Sequence, residues 1–226
     1  MEEQSPRTLN HFALFRFTDD YWKLAEAGKA SFRMGLLQGL RSSAKHVDLY
    51  QNTDSRADLL VWCAEPMNDP GEAAAFFERL AKATGPRRQL IQLVDGLWGF
   101  TRPSQYSRAR SAQEIDPFAA ERMRYLVMYP FTKTAEWYLL SPEARQGMMN
   151  EHIRIGKQYT DIKQLLLYSF GLQDQEFVVV YETDDLPRFS ELVNELRDTE
   201  ARRFTMKDSP VYTAIYHSPE ETLALW

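Results

Sequence analysis

The chain has 226 residues, 44% of them hydrophobic and 26% charged, a composition typical of a globular protein with a sizeable core. Its formal net charge of -5 and its pI near 5.5 provide no broad basic surface, so we expect neither nucleic acid nor an anionic membrane as a partner. A single cysteine, Cys63, excludes an intrachain disulfide, and the absence of a leader pattern or a long apolar run predicts a cytoplasmic protein.

The first half of the chain predicts a strand, a helix, a hairpin, a helix and a strand. The opening strand is "HFALFRF", and the first helix covers residues 20–43. Two apolar runs flank a polar turn in "KHVDLYQNTDSRADLLVWCAE", which is the pattern of a hairpin. A helix over "GEAAAFFERLAKA" and a strand in "RQLIQLVDGLWGF" complete this half.

The second half repeats the same order of elements. It opens with the strand "MRYLVMYPF" and continues with a helix over residues 141–159. A hairpin in "KQLLLYSFGLQDQEFVVVYETD", a helix in "LPRFSELVNELRD" and a strand in "SPVYTAIY" follow. The two hairpins share an opening Leu-Tyr, and we interpret this identity as support for an internal duplication.

This order is that of a ferredoxin-like module, in which helices cover one face of an antiparallel sheet. Two modules can bury their open sheet faces together, so we expect an α+β fold with two ferredoxin-like modules in a dimeric α+β-barrel type of subunit. We place the modules at residues 1–104 and 122–226, joined by a polar linker at 105–121. Linker arginines such as Arg108 and Arg110 either contact an anionic ligand or are simply solvated.

The helix that follows the first strand of the second half carries a histidine on its apolar face. Ser141 is a suitable N-cap, and Met148, His152 and Ile155 follow one another on one helical face. A histidine at such a position is either a core residue bonded to a backbone carbonyl or an axial ligand of haem iron. No second His, Cys or carboxylate has zinc spacing on this face, so a metal site built from protein ligands alone is not expected.

The preceding strand carries a tyrosine and a lysine on one face. Because side chains alternate along a strand, Tyr129, Phe131 and Lys133 share a face, and Tyr129 and Lys133 lie ~13 Å apart. This distance is on the scale of a tetrapyrrole ring, and a phenol with an ammonium suits a planar ligand with carboxylate arms. The alternative is a core tyrosine beside a snorkelling lysine.

Two segments of the second half resemble the chlorite dismutase-like haem proteins. They are "YPFTKTAEWYLLSPEARQGMMNEH" and "KQLLLYSFGLQDQEFVVVYETD". The resemblance implies haem in the C-terminal module, a homopentamer, and His152 as the axial ligand of the haem iron. It also implies a cofactor-binding role for Trp137 and a hydrogen bond from His152 to Glu200, since axial imidazoles usually donate their second N–H to an acceptor.

The branch within this family depends on one position. Chlorite dismutases carry an arginine where this chain has Gln164, or Leu165 if the alignment slips by one residue. A guanidinium supplies a fixed charge to an oxyanion, and a neutral amide does not. Gln164 is instead similar to the coproheme decarboxylase branch, as is the Y-P-x-x-K pattern of Tyr129, Pro130 and Lys133.

This branch implies that iron-coproporphyrin (coproheme) is both substrate and cofactor and that haem b is the product. Hydrogen peroxide is the oxidant, Tyr129 forms the radical that attacks two propionates in turn, and Lys133 assists at the reacting carboxylate. Arg108 and Arg110 would then bind other propionates. The short link between Lys133 and Trp137 is instead similar to the chlorite dismutases. A haem-dependent chlorite dismutase or weak peroxidase, and a non-catalytic haem or porphyrin carrier, therefore remain alternatives.

Overall fold

A computed structural model describes residues 7–106 and 111–226 of the chain. The N-terminal module, residues 8–101, contains β1 (Thr8–Phe17), α1 (Asp19–Trp22), α2 (Glu26–Arg41), β2 (His46–Asn52), β3 (Leu59–Pro66), α3 (Glu72–Thr84) and β4 (Ile91–Thr101). The C-terminal module, residues 125–216, contains β5 (Tyr125–Lys133), α4 (Ala135–Leu139), α5 (Pro142–Gly156), β6 (Lys163–Tyr168), β7 (Phe177–Thr183), α6 (Leu186–Arg197), β8 (Thr205–Lys207) and β9 (Tyr212–Tyr216). A last helix, α7 (Pro219–Ala224), packs against β2 and α2. In the two described segments, no helix is long and apolar enough to cross a membrane.

The two modules have the same strand order and join into one closed antiparallel sheet. The N-terminal order is β4-β1-β3-β2, and the C-terminal order, read in the same sense, is β9-β5-β7-β6. The modules meet where β4 pairs with β6 and where β2 pairs with β9, so eight strands form a closed ring. This arrangement confirms the predicted α+β fold of paired ferredoxin-like modules.

One of the two joints between modules requires a close approach of backbones. Strand β4 pairs with β6 through only two residue pairs at its end. A Cβ added to Gly99 would lie 2.6 Å from the Ser169 Oγ and 2.8 Å from the Tyr168 carbonyl oxygen. Only glycine therefore allows the two strands to approach this closely.

The inward faces of all eight strands form the barrel core. Alternate residues of each strand point inward, as the period of two requires. Its largest buried side chains include Phe12, Leu14, Trp62, Leu97, Leu126, Met128, Leu165, Leu167, Val178 and Val180. The shared Leu-Tyr of the two hairpins is not equivalent in the structure, because Tyr50 lies in this core whereas Leu167, not Tyr168, occupies the matching position.

The segment between the modules is docked on the barrel rather than solvated throughout. Ile115 is 1% exposed and lies in the barrel core. The backbone N–H of Gln164 donates to the Gln113 carbonyl at 2.7 Å, and the Gln164 carbonyl accepts from the Ile115 N–H at 3.0 Å. Arg122 is buried over the Trp62 ring, donates a hydrogen bond to Asp48 at 2.7 Å and lies 3.6 Å from Glu182. This arginine therefore ties together a strand from each module.

Several element boundaries differ from those that the sequence predicts. The predicted helix at 20–43 is two helices separated by Lys23–Ala25, and the helix predicted at 141–159 ends at Gly156. Sequence reasoning also missed α4, β8, α7 and a short 3₁₀ helix, Glu200–Phe204. These elements are too short to show a hydrophobic period. Arg108 and Arg110 lie outside the described residues.

Candidate functional site

A cavity of about 1660 Å³ lies between the helices and the outer sheet face of the C-terminal module. Its walls come from β5, β6 and β7 on one side, from α5 and residues 192–208 on the other, and from the linker and the end of β4, and it extends as far as Arg7 and residues 67–70 of the N-terminal module. This volume exceeds the roughly 300–1,000 Å³ of ordinary small-molecule pockets. The cavity can therefore hold a ligand larger than a typical metabolite.

His152 is positioned by α5, which begins as the sequence predicts. The Ser141 Oγ accepts a hydrogen bond from the Ala144 N–H at 3.2 Å, and Pro142 is the first helical residue. Nearly three turns later, His152 lines the cavity, and its buried Nδ1 has no hydrogen-bond partner among the described residues. Burial, together with the nearby charge of Lys133, lowers the pKa of His152 from 6.5 to about 4. The imidazole is therefore neutral at pH 7, as a metal ligand must be.

Tyr129 lies on the cavity face of β5, as alternation predicts. Its ring stacks on that of Tyr181 from β7, with centroids 6.2 Å apart and an angle of 29° between the planes. Burial raises the pKa of the Tyr129 phenol, and a hydrogen bond with Tyr181 opposes that shift. Sequence reasoning missed Tyr181, although the alternation of Phe177, Val179 and Tyr181 along β7 could have placed it on this face.

Lys133 ends β5 on the same face and is held by the chain itself. Its Nζ lies 4.5 Å from the centre of the Trp137 ring and donates hydrogen bonds to the Ala201 carbonyl at 3.1 Å and the Thr205 Oγ1 at 3.3 Å. Burial, aided by the positive charge of Arg202, lowers the pKa of Lys133 from 10.5 to about 8. Trp137 is buried and also lines the cavity. An ammonium of this kind can bind a carboxylate and exchange a proton near neutral pH.

Gln164 is the polar side chain that β6 presents to the cavity. Leu165, the alternative assignment, is 3% exposed and packs in the barrel core, because neighbouring strand residues point to opposite faces. Gln164 lies opposite Tyr181 in the sheet and is exposed. The strand contributes a neutral amide and no arginine to this wall.

Glu200 does not make the expected hydrogen bond to His152. Its side chain is 60% exposed and forms an ion pair with Arg203 at 3.1 Å, one turn further along the same 3₁₀ helix. The Glu200 backbone N–H bonds instead to the Glu151 carboxylate at 3.2 Å. The Nδ1 of His152 is left without an acceptor in the described part of the chain.

Charged residues that sequence reasoning did not predict also line the cavity. Asp208 binds Arg197 at 3.0 Å and Arg202 at 2.9 Å, and all three side chains border the space around Tyr129. Arg145 of α5 lines the cavity as well. These residues are distant in sequence from the Tyr129 motif, so no local pattern identifies them.

The residues present fit an iron porphyrin better than a free metal ion. Within residues 7–106 and 111–226, no group of three His, Cys, Asp or Glu side chains could hold a metal ion. A porphyrin brings four nitrogen ligands of its own and needs only one axial imidazole from the protein. The neutral His152 with its unpartnered nitrogen and the cationic groups of the wall match such a ligand with its carboxylate arms.

Sequence comparison gives the family of this chain. The family described as Chlorite dismutase matches residues 25–217. A coproheme decarboxylase from Mycolicibacterium smegmatis is 32% identical over 173 residues, which cover 74% of this chain and 71% of that protein. A coproheme decarboxylase from Staphylococcus saprophyticus is 32% identical over 166 residues, which cover 68% of this chain and 66% of that protein.

Solved structures agree on the fold. A mutant chlorite dismutase from Candidatus Nitrospira defluvii superposes with a TM-score of 0.85 at 22% identity, covering 99% of this chain and 95% of that one. The same organism's chlorite dismutase in complex with imidazole superposes with a TM-score of 0.83 at 21% identity, covering 96% and 94%. These comparisons confirm the resemblance seen in the sequence, and the chain belongs to the chlorite dismutase family.

Proposed function

We propose that this protein is a coproheme decarboxylase, which uses hydrogen peroxide to convert two propionates of coproheme to vinyl groups and so produces haem b. The observation that carries the proposal is that His152, Tyr129 and Lys133 line one cavity, together with the neutral Gln164 of β6, which is separated from β5 by β7. The 32% identical relatives named coproheme decarboxylase support the same assignment.

The overall reaction at each propionate is balanced by one peroxide. The propionic acid arm loses carbon dioxide and two hydrogen atoms, which leaves a vinyl group. The two hydrogen atoms reduce the peroxide to two waters. When bound, the iron porphyrin supplies the redox chemistry that makes peroxide an effective oxidant. The remaining tasks, which are to bind the substrate and to move hydrogen, belong to side chains of the cavity.

Tyr129 is suited to abstract hydrogen from a propionate arm. Its phenol is buried on the cavity wall, and burial keeps it protonated, so it can lose a hydrogen atom and then take one from the substrate. Lys133 is suited to neutralise or protonate the reacting carboxylate, because its lowered pKa makes proton exchange possible near neutrality. His152 would bind the iron through its neutral imidazole.

Gln164 favours decarboxylation over chlorite chemistry. A chlorite dismutase must hold an anionic oxidant beside the iron, and a fixed guanidinium charge is suited to that task. Gln164 offers hydrogen bonds without charge, which suits the uncharged hydrogen peroxide.

The decisive experiment is to load the purified protein anaerobically with ferric coproheme and titrate peroxide, with mass spectrometry of the porphyrin. We expect two successive losses of carbon dioxide in the wild type and in the control Tyr125→Phe, and none in Tyr129→Phe. Tyr125 lies at the start of the same strand and outside the cavity wall. Coproheme binding without carboxyl loss would overturn the proposal, and oxygen release from chlorite would then identify a dismutase.

Assembly and location complete the proposal. The family resemblance supports a homopentamer, and light scattering of the purified chain tests it by a mass five times that of one subunit. We also propose a cytoplasmic location, which fractionation of the producing cells tests.

A further inference from the structure

Arg145 stands out in the cavity wall because one nitrogen of its guanidinium, Nε, is buried without a hydrogen-bond partner in the part of the chain that the structure describes. Among the described residues, the side chain also forms no ion pair. A buried donor left without an acceptor costs free energy in the folded state. The ligand-free fold therefore leaves a cationic donor of α5 unsatisfied at the edge of the cavity.

The other cations of this wall are satisfied by the protein or by solvent. Arg197 and Arg202 both bind Asp208, and Lys133 donates to a carbonyl and a hydroxyl. A further three cationic residues at the rim are exposed to solvent: Arg7, Arg102 and Lys157. Among the cations of the described wall, Arg145 is therefore the one that is half-buried, has no anionic partner and keeps a buried nitrogen without a hydrogen bond.

The position of Arg145 relative to His152 suggests which ligand supplies that anion. The two residues are seven positions apart on α5, which puts them on the same helical face and about 10.5 Å apart along the axis. Both have a buried nitrogen without a partner, and both line the same cavity. A porphyrin with its iron at His152 and carboxylates extending from its rim spans this separation.

The surroundings of Arg145 also favour a carboxylate. Two phenols lie near the guanidinium: burial raises the pKa of Tyr106 and Tyr138, and the positive charge of Arg145 opposes both shifts. The Tyr138 hydroxyl donates a hydrogen bond to the Glu176 carboxylate at 2.5 Å, so this carboxylate already has a partner other than Arg145. Arg145 also lies in the first turns of α5, where the helix dipole adds positive potential.

We infer that Arg145 binds a propionate of the porphyrin by charge-assisted hydrogen bonds and thereby fixes the rotation of the ring about the His152 to iron axis. Arg145 is a positioning residue, since it orients the substrate and does not take part in hydrogen transfer. The inference rests on the proposed porphyrin ligand but not on its decarboxylation. A planar guanidinium offers two parallel donors to a carboxylate, which gives direction as well as affinity.

The test is a Soret titration of the full-length protein with ferric coproheme for the wild type, Arg145→Gln, Arg145→Lys and the control Arg154→Gln. Arg154 is an exposed arginine of the same helix and lies outside the cavity wall. We expect Arg145→Gln to weaken coproheme binding about tenfold or more and Arg145→Lys to weaken it less, because lysine keeps the charge but not the paired donors. Arg154→Gln should bind as the wild type does.

Two further readouts separate ligand binding from a structural role. The Soret maximum of loaded Arg145→Gln should match that of the wild type, since His152 still holds the iron. The melting temperature of the ligand-free variant should equal or exceed that of the wild type, because the substitution removes an unsatisfied buried donor.

The outcomes distinguish this inference from the proposed function. Equal coproheme affinity of the wild type and Arg145→Gln overturns the inference, as does a lowered melting temperature of ligand-free Arg145→Gln that accounts for its weaker binding. Loss of affinity in Arg145→Gln, in a protein that binds coproheme but releases no carbon dioxide, would support the inference and overturn only the proposed function. A wild type that binds no coproheme would overturn both.

Discussion

The two modules share a strand order but differ in how their helices pack. In the N-terminal module, α2 buries Phe32, Leu36, Leu37 and Leu40, and it packs directly against α3. In the C-terminal module, α5 buries no residue completely, and the space beneath it is the cavity. Helix α5 still packs against α6 and the 3₁₀ helix Glu200–Phe204, so the difference between the modules is the cavity on the side of α5 that carries His152.

Glycines show how the N-terminal helices come so close. A Cβ on Gly39 would lie 3.3 Å from the Cα of Ala83, and one on Gly35 would lie 2.9 Å from the Nη2 of Arg87. Both glycines lie on α2, so small residues on this helix allow its close contact with α3 and with Arg87.

The two modules also contrast two uses of a buried histidine. His11 of β1 lies between the rings of Phe76 and Phe77, each 5.8 Å away, and burial lowers its pKa to about 4. His152 has a similarly lowered pKa but lines an open space. A lowered pKa is thus common to a histidine packed between rings and to one that faces a cavity, and only the cavity makes His152 a candidate ligand.

Removing Arg122, which links β2 of one module to β7 of the other, should have the largest effect on stability. Arg122→Met leaves Glu182 buried without its cation and leaves Asp48 with only the His46 ring as a partner, so we expect the free energy of unfolding to fall by about 3–5 kcal/mol. Urea unfolding measures this change. The matched control Arg56→Met removes a half-exposed ion pair with Asp54 and should cost about 1 kcal/mol or less. Similar losses in both variants would contradict a shared, cooperative barrel.

Replacing each of the two histidines by alanine should show that His152 affects coproheme binding and that His11 affects the free energy of unfolding. We expect His152→Ala to weaken coproheme binding by about a hundredfold or more, with little change in unfolding, because the iron loses its axial ligand. His11→Ala should lower the free energy of unfolding by about 2–4 kcal/mol through the space left between two rings, and binding should be unchanged. Soret titrations and urea unfolding of both variants test this, and weaker binding by His11→Ala would refute the contrast.

Glycines of the two helix layers should respond differently to a large side chain. Gly39→Leu should lower the free energy of unfolding by about 1–3 kcal/mol, because α2 and α3 cannot separate without loss of contacts. Gly147→Leu on α5 meets nothing within 4 Å and should cause no loss. Thermal unfolding of the ligand-free variants measures both, and equal destabilisation would mean that the loss in Gly39→Leu does not come from the contact of α2 with α3, since Gly147 is exposed.

The smallest expected effect is a pH dependence of the decarboxylation rate, set by Lys133 of the C-terminal module. Since the pKa of Lys133 is about 8, its charged fraction should fall from about nine-tenths at pH 7 to about half at pH 8. We expect the decarboxylation rate to fall over this range in the wild type and to stay level in Lys133→Arg, whose charge persists. Single-turnover rates between pH 6 and 9 test this expectation, and the same decline in both proteins would sink it.

The same lysine should make the free energy of unfolding rise with pH, whereas the decarboxylation rate falls. Its folded pKa lies below the unfolded value near 10.5, so the unfolded chain binds more protons between pH 8 and 10.5. The penalty for burying the charged lysine is therefore full below pH 8 and disappears as the pH rises to 10.5.

The parts of the fold that follow local periodicity could be predicted from the sequence. The alternation in β5 placed Tyr129 and Lys133 on one face, and the N-cap Ser141 gave the start of α5. The partner of His152 could not be predicted in this way, because Glu200 pairs with Arg203 within its own turn. Arg145 was missed because a half-buried arginine on a helix looks like a solvated one until the opposite wall is known.

Closure of the sheet has a consequence for protein quality control. Each of the eight ring strands has a partner on both sides, but β4 meets β6 only at Phe100 and Thr101, so the rest of its outer edge has no strand partner among the described residues. Exposed sheet edges are templates for aggregation, and short edges limit that risk. Closure therefore shortens the free edges without removing them, and the outer edge of β4, where Leu93 and Val94 are exposed, is where another chain could add a strand.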